Sequence, residues 1–391
     1  MPSHAISSAV EAEDLIRGLA LFGTGGGGLQ EVGRRRLLPA IEAGKPIRWV
    51  DMSAIADDVW TCSGFGMGSI APHKTLSREE RAALGYGEVV APQPLVQAIR
   101  ELARYRGVRI EILVPSEIGA GNTTGPLYAA AMLGLAVVDG DYSGGRATPE
   151  MAVATPVLLG HGFHPAAICD PWGNLIFIEA TPSIAVAERL GKAISTVTRL
   201  PDPLAQCAHA GFLLRAGEMR KCLVPGTITR AFEVGKSIRQ ARESGRDPVA
   251  AAAEAMKGWV LCRGIVTERE WQSNGYMIGT TTIEGVGGDI GHMLRLWHKN
   301  ENLLSWLDNE PFVTAPDLLC VMDETSGEPY TNTVLAKGHR VAVLASRGAD
   351  IYRTASGLQL MGPAHFGFDW PYRPVEKLMS QLLEDSRGAN F

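Results

Sequence analysis

Residues 116–150 constrain the fold of this chain most, because they place two glycine-rich acidic turns on either side of an apolar helix and strand. The segment SEIGAGNTTGPLYAAAMLGLAVVDGDYSGGRATPE holds seven glycines, four carboxylates and one basic side chain. Pro126 and Gly134 delimit a helix, and residues 135–138 form a continuous apolar strand of the kind that is buried on both faces. This order predicts a mainly parallel sheet with helices on both sides.

The same alternation of helix and strand extends through the first half of the chain. Hydrophobic periodicity predicts helices at 9–20, 29–43, 93–105 and 182–198, and strands at 47–50, 59–62, 109–114 and 175–180. Pro39 should kink or break the second helix. We therefore expect an α/β domain over residues 1–200.

The character of the sequence changes in residues 201–391. Two helices are expected within 228–257, followed by short strands at 259–267, 276–284, 317–322, 340–345 and 357–361. Turn signals such as Ser326-Gly327 separate them. The pattern predicts a C-terminal domain with helices and, over about 258–370, an antiparallel β-barrel or sandwich. The fold class is α/β plus β.

Composition excludes several classes of partner. The formal charge is −5 and the basic residues are dispersed, so nucleic acid is not expected as a partner. No apolar run is long enough to cross a membrane. The six cysteines are scattered without a CxxC pair and the first residues lack a secretory layout, which together predict a cytoplasmic protein. A homo-oligomer is expected from the size alone.

The acidic turns supply the main catalytic candidates. Glu117, Asp139 and Asp141 each follow a predicted buried strand, where a carboxylate could act as general base for a water molecule. Asp139 and Asp141 could also share a divalent cation. The competing interpretation is structural: the aspartates could bond turn amides or an arginine, and Glu117 could bond only backbone amides.

A thiol and two histidines offer other chemistry. Cys62 ends the strand 59–62 and would be a nucleophile if a base or helix terminus lowered its pKa; otherwise it is a small buried apolar residue. His161 and His164 are spaced so that they could share a metal on a turn. The sequence leaves open both the need for a metal and the choice between Cys62 and an activated water.

Seven residues are predicted to bind the substrate. The run GTGGGG at 23–28 follows a helix and not a strand, so it does not fit a dinucleotide fingerprint, but its amides could bind a carbonyl or anion. Arg146 could clamp a substrate carboxylate. The predicted binding residues are Thr24, Gly25, Gly26, Gly27, Asn122, Arg146 and Glu150.

The order of these motifs resembles one family over nearly the whole chain. GTGGGG, the turn at 117–122, PLYAAAMLGLAVVDGD (126–141) and GRATPE (145–150) are similar to the bacterial S-methyl thiohydantoin desulfurase family, whose genes often neighbour hydantoinase/oxoprolinase genes. The likeness continues through PGTITRAFEVGKSI (225–238), NENLLSW (300–306), PDLLCVMDETSGEP (316–329) and GPAHFGFD (362–369).

The resemblance implies a three-layer α/β sandwich joined to a C-terminal domain with a β-barrel. It also implies hydrolysis at a carbon of a five-membered ring, which releases a thiol and leaves a hydantoin. Two alternatives belong to other classes: a non-catalytic partner subunit of a hydantoinase/oxoprolinase-type enzyme, and a small-molecule binding protein. The concentrated carboxylates favour the enzyme, because binding a neutral ring would not need four of them.

Overall fold

The computed structural model describes residues 3–68, 77–197, 207–273 and 275–388. Within these ranges, ten strands precede residue 226 and twelve α-helices are found. The strands are β1 (Ser3–Ile6), β2 (Ile47–Val50), β3 (Trp60–Gly66), β4 (Ile110–Val114), β5 (Ala136–Val138), β6 (Gly140–Asp141), β7 (Ala166–Cys169), β8 (Leu175–Ile178), β9 (Ala208–Arg215) and β10 (Val224–Pro225).

Helices cover both sheets and join them. The helices are α1 (Ala9–Phe22), α2 (Gln30–Glu42), α3 (Arg78–Ala83), α4 (Pro94–Arg106), α5 (Thr124–Leu133), α6 (Thr155–Leu158), α7 (Ile184–Val197), α8 (Ala216–Cys222), α9 (Thr227–Glu243), α10 (Pro248–Ala255), α11 (Ala355–Met361) and α12 (Val375–Gly388). Ser8 and Glu11 form a capping box at the start of α1. Pro39 does not break α2, which continues to Glu42 because Pro39 falls in its last turn.

The first sheet has eight strands in the order β1-β2-β5-β4-β3-β9-β7-β8. Its centre, β2-β5-β4-β3, is parallel, and β5 is buried as its apolar run predicts, with Val137 and Val138 fully covered. Both edges are antiparallel. The prediction of a mainly parallel sheet is therefore corrected to a mixed sheet, because β9 enters from the second half of the chain beside β3.

The second sheet is a curled antiparallel half-barrel of seven strands, in the order β15-β14-β13-β12-β11-β17-β16. Its strands are β11 (Trp259–Ser273), β12 (Met277–Gly285), β13 (Met293–Lys299), β14 (Glu301–Leu307), β15 (Glu310–Thr314), β16 (Leu318–Asp323) and β17 (Arg340–Ser346). The prediction of a strand at 357–361 is wrong. These residues lie in α11, whose first turn is capped by the Thr354 side chain.

Two features join the halves of the molecule. Helix α9 packs along α1, and the largest apolar core runs from the first sheet through these helices to β16 and β17. The hairpin β13–β14 turns at Asn300, which adopts a left-handed φ of 61°. This hairpin tip meets the GTGGGG run. The domain boundary predicted at residue 200 lies outside the described residues.

Candidate functional site

A cleft of about 160 Å³ lies where the first sheet, α7 and the β13–β14 hairpin meet. Both acidic turns, the glycine run and the hairpin tip contribute to it. Its lining consists of Gly27, Gly28, Phe65, Gly66, Met67, Gly68, Ser116, Glu117, Asn122, Ser143, Thr148, Pro149, Glu150, Met151, Ala154, Glu188, Lys192, Phe212, Asn300 and Glu301. Of the residues predicted from the sequence, the cleft brings together Gly27, Glu117, Asn122 and Glu150.

The glycine run forms one wall by direct backbone packing. Gly27 and Gly28 have φ values of +71° and +86°, which side chains rarely adopt. A Cβ on Gly27 would lie 2.8 Å from the Cα of Gly119, and a Cβ on Gly28 would lie 2.8 Å from the Cα of Gly121. The Gly27 carbonyl also accepts a hydrogen bond from the Gly121 amide at 2.9 Å. Four glycines, two in each loop, therefore allow the two loops to touch.

The first part of the run binds the hairpin and not the cleft. The carbonyls of Thr24 and Gly25 accept hydrogen bonds of 2.7 Å from the amides of Asn302 and Asn332. A Cβ on Gly26 would collide with the side chain of Glu301. Thr24, Gly25 and Gly26, predicted to contact substrate, thus lie at the junction of the two sheets and do not line the cleft.

Glu117 is held in the cleft wall by three donors. Oε2 accepts the Thr148 amide at 2.7 Å and the Thr148 hydroxyl at 3.3 Å, and Oε1 accepts the Asn122 side-chain amide. Burial raises the pKa of Glu117 to about 7, although the hydrogen bonds from Thr148 and Asn122 oppose the rise. A carboxyl group that titrates near neutral pH is suited to exchange a proton during a reaction.

Glu301 is the second carboxyl group at this end of the cleft. Its side chain is 3% exposed, and its Oε2 has no hydrogen-bond partner among the described residues. Burial and, next, the charge of Glu117 raise the pKa of Glu301 well above its usual range. Ionisation of Glu117 therefore favours the protonated form of Glu301. Two neighbouring buried carboxyls whose ionisations oppose each other are a typical acid/base arrangement.

A group of ionic side chains forms the opposite wall. Glu150 is paired with Lys299 and lies 3.2 Å from Nε2 of His365. Burial raises the pKa of Glu150, but the hydrogen bonds from His365 and Lys299 lower it to about 2. Glu188 accepts the Tyr276 hydroxyl at 2.6 Å and lies 2.8 Å from Nζ of Lys192. Both carboxylates are already paired with cationic or hydroxyl groups, which makes them poor bases.

The remaining side of the cleft is apolar. Phe65 and Phe212 both pack on Phe163, with ring centroids 5.6 and 5.0 Å apart respectively. Met67 and Met151 complete this side. The cleft therefore has an acidic end, an ionic wall and an apolar side.

The aspartates of the second turn face away from the cleft. Asp139 accepts the amides of Ile228 and Thr229 at 3.1 Å and the Thr229 hydroxyl at 2.6 Å, and so caps α9. Asp141 accepts the amides of Ser143 and Gly145 at 2.7 and 2.9 Å. Burial raises the pKa of Asp141 to about 7. Neither aspartate lines the cleft, which argues for the structural interpretation of both.

Arg146 and Cys62 are also placed where the predicted roles do not fit. The guanidinium of Arg146 is buried and donates to backbone carbonyls of Ala147, Asn302 and Asp317 at 3.1–3.2 Å, so it ties the second turn to the half-barrel and cannot hold a substrate carboxylate. Cys62 is fully covered within β3, and burial raises the pKa of its thiol to about 12. Such a thiol is not a nucleophile at neutral pH.

Metal ligation finds no geometric support in the part of the chain that the structure describes. Within residues 3–68, 77–197, 207–273 and 275–388, no three His, Cys, Asp or Glu side chains converge as a metal site. His161 lies 3.8 Å from Glu218, and His164 faces Thr181 at 3.4 Å. The two histidines thus have separate surroundings.

Sequence reasoning missed Glu301, Glu188, Lys192 and Asn300. The motif NENLLSW, which contributed to the resemblance, contains Asn300 and Glu301. Because strands β13 and β14 were not predicted, the tight turn between them was not recognised either. The one signal for Glu301 in the sequence is a carboxylate at the start of a mostly apolar stretch, where a charged residue is uncommon.

Comparison with known proteins shows the family. The chain matches two family models, the S-Me-THD-like N-terminal domain over residues 10–180 and the S-Me-THD-like C-terminal domain over residues 183–375. It therefore belongs to the S-methyl thiohydantoin desulfurase family, as the motif order predicted. Membership suggests a role related to thiohydantoins.

A solved structure has the same fold. The X-ray crystal structure of a protein from Chromobacterium violaceum is 25% identical in sequence and matches with a TM-score of 0.74 over 95% of this chain and 100% of that one. Among curated proteins, the search finds no match. Within the described residues, no helix has the length and apolarity needed to cross a membrane.

Proposed function

We propose that this protein hydrolyses S-methyl thiohydantoins or closely related five-membered cyclic thioamides, releasing a thiol and leaving a hydantoin. The observation that carries the proposal is the pair Glu117 and Glu301, two buried carboxyls that line one cleft, of which Glu117 is fixed by Thr148 and Asn122 and Glu301 leaves Oε2 without a hydrogen-bond partner among the described residues. Family membership supports the substrate class. The pair supports the type of reaction, because hydrolysis needs a base for water and an acid for the ring.

The two carboxyls have unlike tasks in the first step. The ring carbon that carries sulfur is bonded to two nitrogens, one of which has a free lone pair. Protonated Glu301 donates its proton to that nitrogen, which makes the carbon more electrophilic. Ionised Glu117 accepts a proton from water as the water oxygen bonds to the same carbon. The product of this step is a tetrahedral carbon that carries hydroxyl, thioether and two N–H groups.

The second step restores both carboxyls. The carbon–sulfur bond breaks and the leaving sulfur takes the proton held by Glu117. The hydroxyl of the tetrahedral carbon becomes the hydantoin carbonyl and returns its proton to Glu301. One water is consumed, one thiol leaves, and no oxidant or reductant is required. The cycle leaves Glu117 ionised and Glu301 protonated, as at the start.

The surroundings of Glu117 suit the task of a base. Thr148 and Asn122 fix both carboxylate oxygens, so that the group is oriented before substrate enters. The close packing of Gly27 and Gly28 on Gly119 and Gly121 fixes the loop that follows Glu117 against the glycine run. The cleft is small compared with the ~300–1,000 Å³ of pockets for drug-sized ligands, which fits a single five-membered ring.

The test is thiol release from an S-methyl thiohydantoin by the purified full chain, compared with Glu117→Gln and with Glu111→Gln as the matched control. Glu111 is exposed on β4, six positions before Glu117, and lies outside the cleft. We expect release by the wild type and by Glu111→Gln, and none above background by Glu117→Gln. Equal release by Glu117→Gln would remove Glu117 from the mechanism.

The same assay is run with and without a chelator. Release that survives the chelator supports the carboxyl pair, whereas loss that a divalent ion restores would contradict a mechanism that needs only carboxyls. Release from no ring by the wild type would contradict the proposal itself. That outcome would favour the partner-subunit or binding-protein interpretation instead.

A further inference from the structure

The apolar side of the cleft has no task in the proton chemistry described above. Phe65, Met67 and Phe212 are 8%, 6% and 1% exposed, yet all three line the cleft, as does Met151. Phe163 supports the two phenylalanines from behind. These four residues, Phe65, Met67, Met151 and Phe212, are called the apolar side below. A wall of this kind favours an apolar substituent, since it offers no partner to a polar one.

The apolar side comes from different elements than the acidic end. Phe65 and Phe212 belong to adjacent strands of the first sheet, whereas Glu117 and Glu301 come from the acidic turn and the hairpin tip. In a cleft of about 160 Å³, a small ring held by the carboxyl pair has its other substituents against the remaining walls. One of these walls is ionic and one is apolar.

We propose that the apolar side holds the S-alkyl group as the thiol leaves. It thereby makes the protein selective for S-alkyl rings over cyclic guanidines, in which an amino group replaces the S-alkyl group on the same ring carbon. The inference rests on the proposed function and names its leaving-group specificity. An S-methyl group gains from burial against methionine and phenylalanine, and sulfur makes favourable contacts with aromatic rings. An amino group at the same position would lose its hydrogen bonds to water without replacement.

In the competing placement, the apolar side contacts a different substituent, the one on the ring carbon that carries neither sulfur nor the carbonyl oxygen. This carbon is called the far carbon below. Two substrate series separate these placements. The first keeps the far carbon unsubstituted and varies the leaving group from S-methyl to S-ethyl, S-propyl and amino. The second keeps S-methyl and varies the far substituent from hydrogen to methyl and isobutyl. The value compared is kcat/KM for the full chain.

Met151→Ala is the informative variant, because it enlarges the apolar side while keeping the backbone amide that binds Glu188. Met52→Ala is the matched control: Met52 is also half-buried beside the same core cluster, but it does not line the cleft. Met151→Leu nearly conserves volume and guards against loss of folding. Folding of each variant is checked by its urea-unfolding midpoint.

We expect the wild type to prefer S-methyl over amino by at least about tenfold. Met151→Ala should raise the ratio of S-propyl to S-methyl by about tenfold or more, with the second series unchanged, and Met52→Ala and Met151→Leu should keep wild-type ratios. A change of the kcat/KM ratios confined to the second series, or the same change in Met52→Ala, would overturn this inference and leave the proposed function intact. Release from no S-alkyl ring by the wild type would instead contradict the proposed function.

Discussion

The two acidic turns at 116–122 and 139–146 look alike in sequence but differ in what they do with their carboxylates. Each follows a buried strand of the parallel centre of the sheet and each is rich in glycine. Glu117 points into the cleft, whereas Asp139 and Asp141 turn into the protein and bind backbone amides. An acid in a glycine-rich turn is therefore not by itself a sign of catalysis.

The difference arises from the donors that each carboxylate meets. Asp139 lies at the N-terminus of the long helix α9, where free amides and the helix dipole stabilise its charge. Asp141 closes its own turn through the amides of Ser143 and Gly145. Glu117 receives one backbone amide, from Thr148, and its longer side chain reaches the cleft. The environment of a carboxylate, and not its turn, decides its role.

The largest expected effect tests this contrast directly. Glu117→Gln should lower kcat for thiol release by about 10²–10⁴-fold, the usual contribution of a general base, with little change in stability. Asp141→Asn, at a residue that the sequence marked as a catalytic candidate, should retain kcat within about threefold because Asp141 does not line the cleft. If Asp141→Asn removed turnover while keeping its unfolding midpoint, the contrast would be wrong.

The pH dependence of kcat/KM sharpens the assignment of base and acid. Because Glu117 must be ionised and its pKa is about 7, kcat/KM should fall about tenfold per pH unit below 7 and level off above it. Loss of the Glu301 proton at high pH should produce a second decline, since its pKa is raised. In Glu301→Gln the amide can neither donate a proton to the ring nor lose one at high pH. The limiting kcat/KM should therefore fall, and in the residual activity the decline at high pH should disappear while the one near 7 remains.

Stability provides a separate measure of the Glu301 proton. The folded protein holds Glu301 protonated while the unfolded chain ionises it, so its stabilising contribution is complete below the unfolded pKa and is lost as pH rises towards the folded pKa. As pH rises from 4.5 towards the raised pKa of Glu301 in the folded protein, the free energy of unfolding of Glu301→Gln should therefore gain on that of the wild type by about 1.4 kcal/mol per pH unit. Urea unfolding at a series of pH values above 4.5 measures this gain, and a constant difference would argue that Glu301 is ionised in the folded state.

The structural role of Asp139, which caps α9, predicts that its substitution lowers stability. Asp139→Ala should lower the free energy of unfolding by about 1–2 kcal/mol, because the amides of Ile228 and Thr229 lose their acceptor. The variant should keep its kcat when assayed well below its unfolding temperature. Asp139→Asn, which can still accept one hydrogen bond, should lose less. A catalytic defect without a stability defect would assign Asp139 to the reaction.

The smallest effect concerns the positioning of Glu117. The Asn122 side chain lowers the pKa of Glu117 by donating to Oε1. Asn122→Ala should move the decline of kcat/KM near pH 7 to higher pH, with a modest loss of the limiting value. If Asn122→Ala left the position of that decline unchanged, the hydrogen bond from Asn122 would have no influence on Glu117.

The elements of the first half were largely predictable because their signals are local. The apolar run 135–138, the helix after Pro126 and the strand before the first acidic turn correspond to β5, α5 and β4. The strands β13, β14 and β15 were missed and 357–361 was assigned the wrong state, since short amphipathic strands and helices share similar patterns. The strand β9, which pairs with β3 and β7, could not be assigned to the first sheet, because pairing between distant segments leaves no local signal.

The sequence by itself determined the family, the two glycine-rich acidic turns and the apolar strands from which they emerge. These follow from the order of residues and from backbone preferences of glycine and proline, which act locally. Only the tertiary structure decided which acid faces the cleft, because Asp139 and Glu117 are held by donors from other segments, Ile228 for Asp139 and Thr148 for Glu117. It also brought Glu301 to the same cleft as Glu117, and burial there, a property of no single segment, raises the pKa of both carboxyls.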